Sequence, residues 1–248
     1  MPTPFMHIAL ADRLIADPEL PLGAHDALKQ AWGAFLLGSI APDARVASGL
    51  ARSVTHFFEY TAPLDVSPAC KLLSAFPMLR CSALTDSAQR AFVAGYAAHL
   101  AMDAVWFTDM LPHFSRDWAP FWQRNVLLHM LLGHLDAQDR QRLAEDDYPA
   151  LKRATPSAWL PFISDADLSA WRDLIADQLA PNAPSRTLEI LGSRIRMSAA
   201  QMQAFLANEA EMRPLWQNIP PDLIEAVNAA MYASVRQTVS AYFADQLA

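Results

Sequence analysis

The sequence predicts an all-α protein, a multihelical bundle, and three observations carry that reading. Apolar residues recur at steps of three and four, alanine and leucine are abundant, and only 7 of the 248 residues are glycine. A period near 3.6 marks helices that bury one face, whereas half-buried strands alternate at two. With 53% hydrophobic residues the chain can bury a large core, and the reading is one domain over residues 1–248.

Each element has its own signal. The first helix is expected to open at Thr3 as N-cap with Pro4 in the first helical position, and to stop before Asp17 and Pro18. A second is expected over residues 24–38, ended by Gly38 and the "SIAPD" that follows it. Residues 60–68, "YTAPLDVSP", read as a loop, with a short helix over 70–75 before Pro77. A long helix spans 86–110, limited by Pro112. Helices near 120–133 and 137–146 follow, then a loop "YPALKRATPSAWLPF" with three prolines. Ser164 with Asp167 opens a helix to about 179, and two more cover 198–212 and 221 to the C-terminus.

Composition narrows the function. A formal charge of −7 and a pI of about 5.4 provide no basic field for long nucleic acid or an anionic membrane, so a phosphate ester would need a local cation. Cys70 and Cys81 lack metal-ligand spacing and offer neither a disulfide framework nor a thiolate site. The start, "MPTPFMHIALADR", has no basic region and its apolar run ends at Asp12, so the expected location is cytoplasmic. The longest apolar run, "WGAFLLGSIA", is interrupted by two glycines and is too short to span a membrane.

Polar residues then appear where the pattern calls for core. Phe92, Tyr96, His99, Asp103, Trp106 and Met110 share one helical face, and its centre holds an imidazole and a carboxylate. At i and i+4 these groups lie about 5–6 Å apart at Cβ, which suits a shared ion or a self-satisfying buried pair. His7 in "PFMHIAL" and His56 in "SVTHFFEY" each read singly as core histidines, and Asp43 in "GSIAPDA" reads as a turn or cap residue presented by Pro42. Together they are a costly set of unrelated buried polar groups, and one shared metal centre accounts for all of them.

The order of an N-terminal histidine, "PD", "THF" and "GY-x-x-H-L-x-x-D" resembles the bacterial zinc-dependent phospholipase C family, whose fold is shared with fungal single-strand-specific zinc nucleases. The likeness covers residues 1–110, most specifically "GYAAHLAMD", and leaves 111–248 as remaining helices. It implies that Asp43, His56, His99 and Asp103 bind one zinc, and that Asp103 bridges to a second held by His7. Asp43 is then also the catalytic residue that orients or deprotonates the attacking water. The implied activity is a phosphoric ester hydrolase in which metal-activated water attacks a small phosphodiester or lipid-like substrate.

Two departures limit the carry-over. Secreted members of that family use the amine and carbonyl of a processed first residue for the second zinc, and this chain shows no cleavage signal. Their further zinc takes His-x-x-x-Glu, but four residues after His129 stands Gly133, and four after His134 stands Gln138. One or two zinc ions are expected, with Asp109, His113 and His129 as a weak substitute site for a third. Arg52, one turn before His56, reads first as a surface cation and second as a phosphate contact. Phe57, Phe58, Tyr96, Trp106 and Phe107 read as core or as packing behind the site, ahead of lipid contact. The alternatives are a nuclease or nucleotidase on the same fold, and a non-catalytic metal-stabilised helical binding protein. Nothing in the sequence bears on the oligomeric state.

Overall fold

The computed structural model describes residues 1–180 and 183–247, and among them there are helices and no strand. In chain order the α-helices are α1 Pro4–Ile15, α2 Leu22–Gln30, α3 Trp32–Ile40, α4 Arg45–Ser48, α5 Arg52–His56, α6 Pro68–Ala75 and α7 Ser87–Val105. They continue as α8 Leu111–Ser115, α9 Phe121–Arg140, α10 Asp147–Arg153, α11 Asp165–Leu179, α12 Thr187–Ile195, α13 Ala199–Leu206, α14 Glu209–Asn218 and α15 Pro221–Phe243. A 3-10 turn, Ala41–Ala44, joins α3 to α4. Among the described residues no helix is long and apolar enough to cross a membrane.

α7 is the axis of the molecule. It packs most extensively against α3 and α15, while α1 lies against α3 and α9. Every residue of α7 from Ala91 to Asp103 is buried, so the helix is enclosed on all sides and not along one stripe only. The expected face of Phe92, Tyr96, His99, Asp103, Trp106 and Met110 is fully buried. One contiguous apolar cluster runs from Phe5 to Tyr242.

The α3–α7 crossing is made by two glycines. A Cβ on Gly38 would lie 2.0 Å from the Phe92 carbonyl oxygen, and one on Gly95 would lie 2.2 Å from that of Phe35. Both clashes are with backbone, which cannot rotate away, so the two helices touch main chain to main chain. Gly38 is therefore not the helix stop that its sequence context suggests. The expected 24–38 helix is two helices, separated at Ala31 (φ −126°, ψ 41°), and α3 runs through Gly38 to Ile40.

Other boundaries also move, for physical reasons. Pro112 does not end the long helix, because residues Trp106–Met110 widen into a π-helical turn that leads into α8. The Leu111 N–H bonds the Trp106 carbonyl, five residues back, and this change of register accommodates a ring that would otherwise press on the carbonyl four residues before it. α9 passes straight through Gly133, since a mid-helix glycine costs only about 1 kcal/mol, less than burial of Leu131, Leu132 and Leu135 returns. The proline-rich loop contains α10, whose Pro149 sits in the first turn where a missing N–H is harmless. Residues 198–212 divide at Asn208, whose side chain caps α14 by accepting from the Ala210 and Glu211 N–H groups. α12 has no counterpart in the sequence expectation.

The expected helix over 137–146 does not form as a separate element, because α9 continues to Arg140 and residues 141–146 are turn and coil; the capping signals hold. Thr3 caps α1 with Pro4 next to it, Ser164 caps α11 by accepting from Asp167 N–H at 3.1 Å, and residues 60–67 form no helix.

Candidate metal centre

The five polar residues singled out in the sequence come together. His7 arrives on α1, Asp43 on the 3-10 turn after α3, His56 as the last residue of α5, and His99 with Asp103 on α7. They form two overlapping triads of donor atoms, His7 with His99 and Asp103, and Asp43 with His56 and His99, each mutually within 4.8 Å. His7, His56, His99 and Asp103 are buried, whereas the Asp43 side chain is 23% exposed and forms the open edge.

The spacing can be tested against an ion. Zinc takes nitrogen and oxygen donors at about 2.0–2.2 Å in a tetrahedron, which puts two donors of one ion about 3.4 Å apart. His56 Nε2 lies 3.4 Å from Asp43 Oδ1, 3.4 Å from Asp103 Oδ2 and 3.4 Å from His99 Nε2. His7 Nε2 lies 3.6 Å from Asp103 Oδ1, and His99 Nε2 lies 3.6 Å from Asp103 Oδ2. His7 Nε2 and Asp103 Oδ1 are buried and have no hydrogen-bond partner among the described residues. Facing donors too far apart to bond and sealed from solvent fit a cation between them.

The far sides of the imidazoles explain their orientation. His99 Nδ1 donates to the Ser39 carbonyl at 2.8 Å, which fixes the tautomer and turns the Nε2 lone pair toward Asp103. That contact exists because Gly38 and Gly95 let α3 approach α7 closely. His56 Nδ1 pairs with Thr55 Oγ1 at 2.8 Å, and the Tyr96 hydroxyl donates to the Thr55 carbonyl at 2.6 Å. His7 and His99 stack with ring centroids 3.8 Å apart. After His56 the chain turns sharply through Phe57, at φ 60°, a left-handed conformation that a phenylalanine rarely adopts.

Charge follows from this geometry. Burial, then the neighbouring His99, lowers His7 to about 4, so its imidazole is neutral at pH 7. Burial also lowers His56, against the pull of Asp43. For His99 burial acts downward too, but the Asp103 carboxylate outweighs it and raises the imidazole. Burial favours protonation of Asp103 and Asp43, yet the surrounding histidines hold both well below the ordinary carboxylate range. The Met1 amine is lowered to about 6 by burial, with Asp103 acting in the opposite direction.

A family profile described as zinc dependent phospholipase C matches residues 6–157, more than half of the chain. The chain belongs to the zinc-dependent phospholipase C family. No curated protein and no solved structure matches it. All five convergent residues of this family member lie inside the matched span. Among the described residues only these two triads meet the geometry of a metal-holding group, so Asp109, His113 and His129 form none. Asp109 is exposed and accepts from Thr108 Oγ1, and His129 Nδ1 is occupied by the Asn125 carbonyl at 2.8 Å.

Sequence reasoning undervalued Arg52. Its side chain is 12% exposed, and Nη2 donates to Asp103 Oδ2 at 2.8 Å, so it belongs to the cluster and not to the surface. The signal was available: one helical turn before His56 is the position that shares its face. Ser39 could not be found in the same way, because it acts through its backbone carbonyl.

Proposed function

We propose that the chain is a zinc-dependent phosphoric ester hydrolase of the phospholipase C type, in which His7, Asp43, His56, His99 and Asp103 hold one or two zinc ions. The observation that carries this reading is the pair of donor triads sharing His99, with two orphaned buried atoms between His7 and Asp103. When bound there, zinc supplies Lewis acidity toward a phosphoryl oxygen and lowers the pKa of its coordinated water to about 7.

The protein's own groups do the positioning. Ser39 and Thr55 lock the outer nitrogens of His99 and His56, leaving both Nε2 atoms facing inward. Asp103, ringed by three imidazoles and a guanidinium, stays anionic and balances a dication. Asp43 is the most exposed of the five and is where water and substrate enter. At that edge its carboxylate orients or deprotonates an attacking water. The substrate is a small phosphodiester or lipid-like phosphate ester.

Protein purified without added metal, assayed for bound elements and for turnover of a chromogenic phosphodiester, a phosphocholine ester and single-stranded DNA, tests this. One or two zinc ions per chain are expected, with ester turnover that stops on chelation and returns with zinc. Bound zinc without turnover of any substrate would instead indicate a binding role, and turnover of DNA alone a nuclease.

A further inference from the structure

Arg52 holds a donor that no group among the described residues uses. Its Nη2 is committed to Asp103 Oδ2 at 2.8 Å, but its Nε is buried and lacks a partner. The guanidinium is also held by aromatic rings. Its carbon lies 4.9 Å from the centroid of Phe58 and 4.5 Å from that of Tyr60. Phe107, on the widened turn just after α7, packs on those two rings at 5.5 and 5.8 Å. The cation is thus fixed by a carboxylate and an aromatic cluster, while one charged donor stays unsatisfied.

A guanidinium is a planar fork suited to two oxygens of a phosphate, and pairing a buried charged donor is strongly favourable. In a chain of net charge −7, an anionic substrate also needs such a local cation. The aromatic faces carry a second consequence. Phe58 and Tyr60 rings attract cations, and a quaternary ammonium would have to compete with the guanidinium already placed against them.

We propose that Arg52 binds the phosphate oxygens of the substrate and that its pairing with Phe58 and Tyr60 selects esters whose alcohol part is neutral or anionic over esters carrying a quaternary ammonium. The proposal rests on the phosphate ester reading above and names its substrate class. Arg52 at the same time ties the ligand's position to Asp103, so binding and the donor cluster share one hydrogen-bonded unit.

The test is calorimetric titration of the zinc-loaded protein with inorganic phosphate, glycerol phosphate and phosphocholine, for wild type, Arg52→Gln and Arg52→Lys, after zinc content has been measured for each. In wild type, inorganic phosphate and glycerol phosphate should bind at least about tenfold more tightly than phosphocholine. Arg52→Gln should keep the wild-type zinc content and weaken phosphate by about tenfold or more, with Arg52→Lys recovering part of that loss because it restores charge without the fork. Phosphocholine binding as tightly as glycerol phosphate overturns the proposal. So does a Gln variant within about twofold of wild type, or one that loses zinc and phosphate together, which would make Arg52 a support for Asp103 alone. Should Arg52→Gln not fold, the ligand ranking in wild type decides. A wild type with neither zinc nor ester turnover removes the hydrolase reading itself, an outcome separate from all of these.

Discussion

Asp103 and Asp147 are both enclosed carboxyl groups, 0% and 1% exposed, yet their surroundings push their proton affinities in opposite directions. Asp147, on α10, accepts from Trp32 Nε1 at 3.1 Å and from the Ala144 N–H at 3.2 Å, and it faces Asp12 of α1. Burial raises both carboxyls of that pair, Asp12 to about 8, so the two share a proton at neutral pH. Asp103 has His7, His56, His99 and Arg52 within 3.6 Å and is held well below the ordinary range. Burial therefore does not by itself set the charge of a carboxyl. Neutral donors and a second carboxyl leave a pair that holds a proton, whereas imidazoles and a guanidinium favour the anion.

That contrast can be broken most forcefully at Asp103. Asp103→Asn should purify with little or no zinc by elemental analysis, because the amide removes the anion common to the histidine contacts, while Asp147→Asn should retain the full wild-type metal content. Equal metal in both would erase the distinction. Next in size is the scaffold that both carboxyls depend on. Gly95→Ala forces a Cβ into the Phe35 carbonyl, 2.2 Å away, and should lower unfolding free energy by about 3 kcal/mol or more in a denaturant titration.

A smaller effect is expected behind the donors. Thr55→Val removes the hydroxyl paired with His56 Nδ1 and should weaken zinc about 10–100-fold in a chelator competition, with little change in melting temperature. The smallest belongs to the acid pair. Asp12 has a folded-state value near 8, above its value in the unfolded chain, so its favourable contribution is complete below about pH 4 and disappears as pH rises through 8. The melting midpoint of metal-free protein should fall by a few degrees between pH 5 and pH 9, and Asp12→Asn should flatten that slope.

Much of the candidate cluster was legible because its polar members break an apolar pattern. His99 and Asp103 stood out as polar members of a core face, and "PD" and "THF" supplied the partners at recognisable positions. The fold class was legible from periodicity alone. Boundaries set by tertiary contact were not: Gly38 looks like a helix stop until Phe92 is seen against it, and Pro112 looks like an end until the preceding turn is seen to widen. α12 was missed because its few apolar residues, Leu188 and Leu191 among them, make too short a run to stand out before the chain is packed on α9. Arg52 was legible by spacing and misjudged by residue type, since an arginine is ordinarily a surface residue.

The crossing at Gly38 and Gly95 sets the ruler for the whole cluster. With main chains in direct contact there, the gap between the Asp43 turn and the His99 imidazole is fixed by peptide geometry and not by the bulk of any side chain. Substitutions at surrounding residues such as Phe58, Tyr60 and Phe107 would therefore leave the spacing of the donor atoms unchanged.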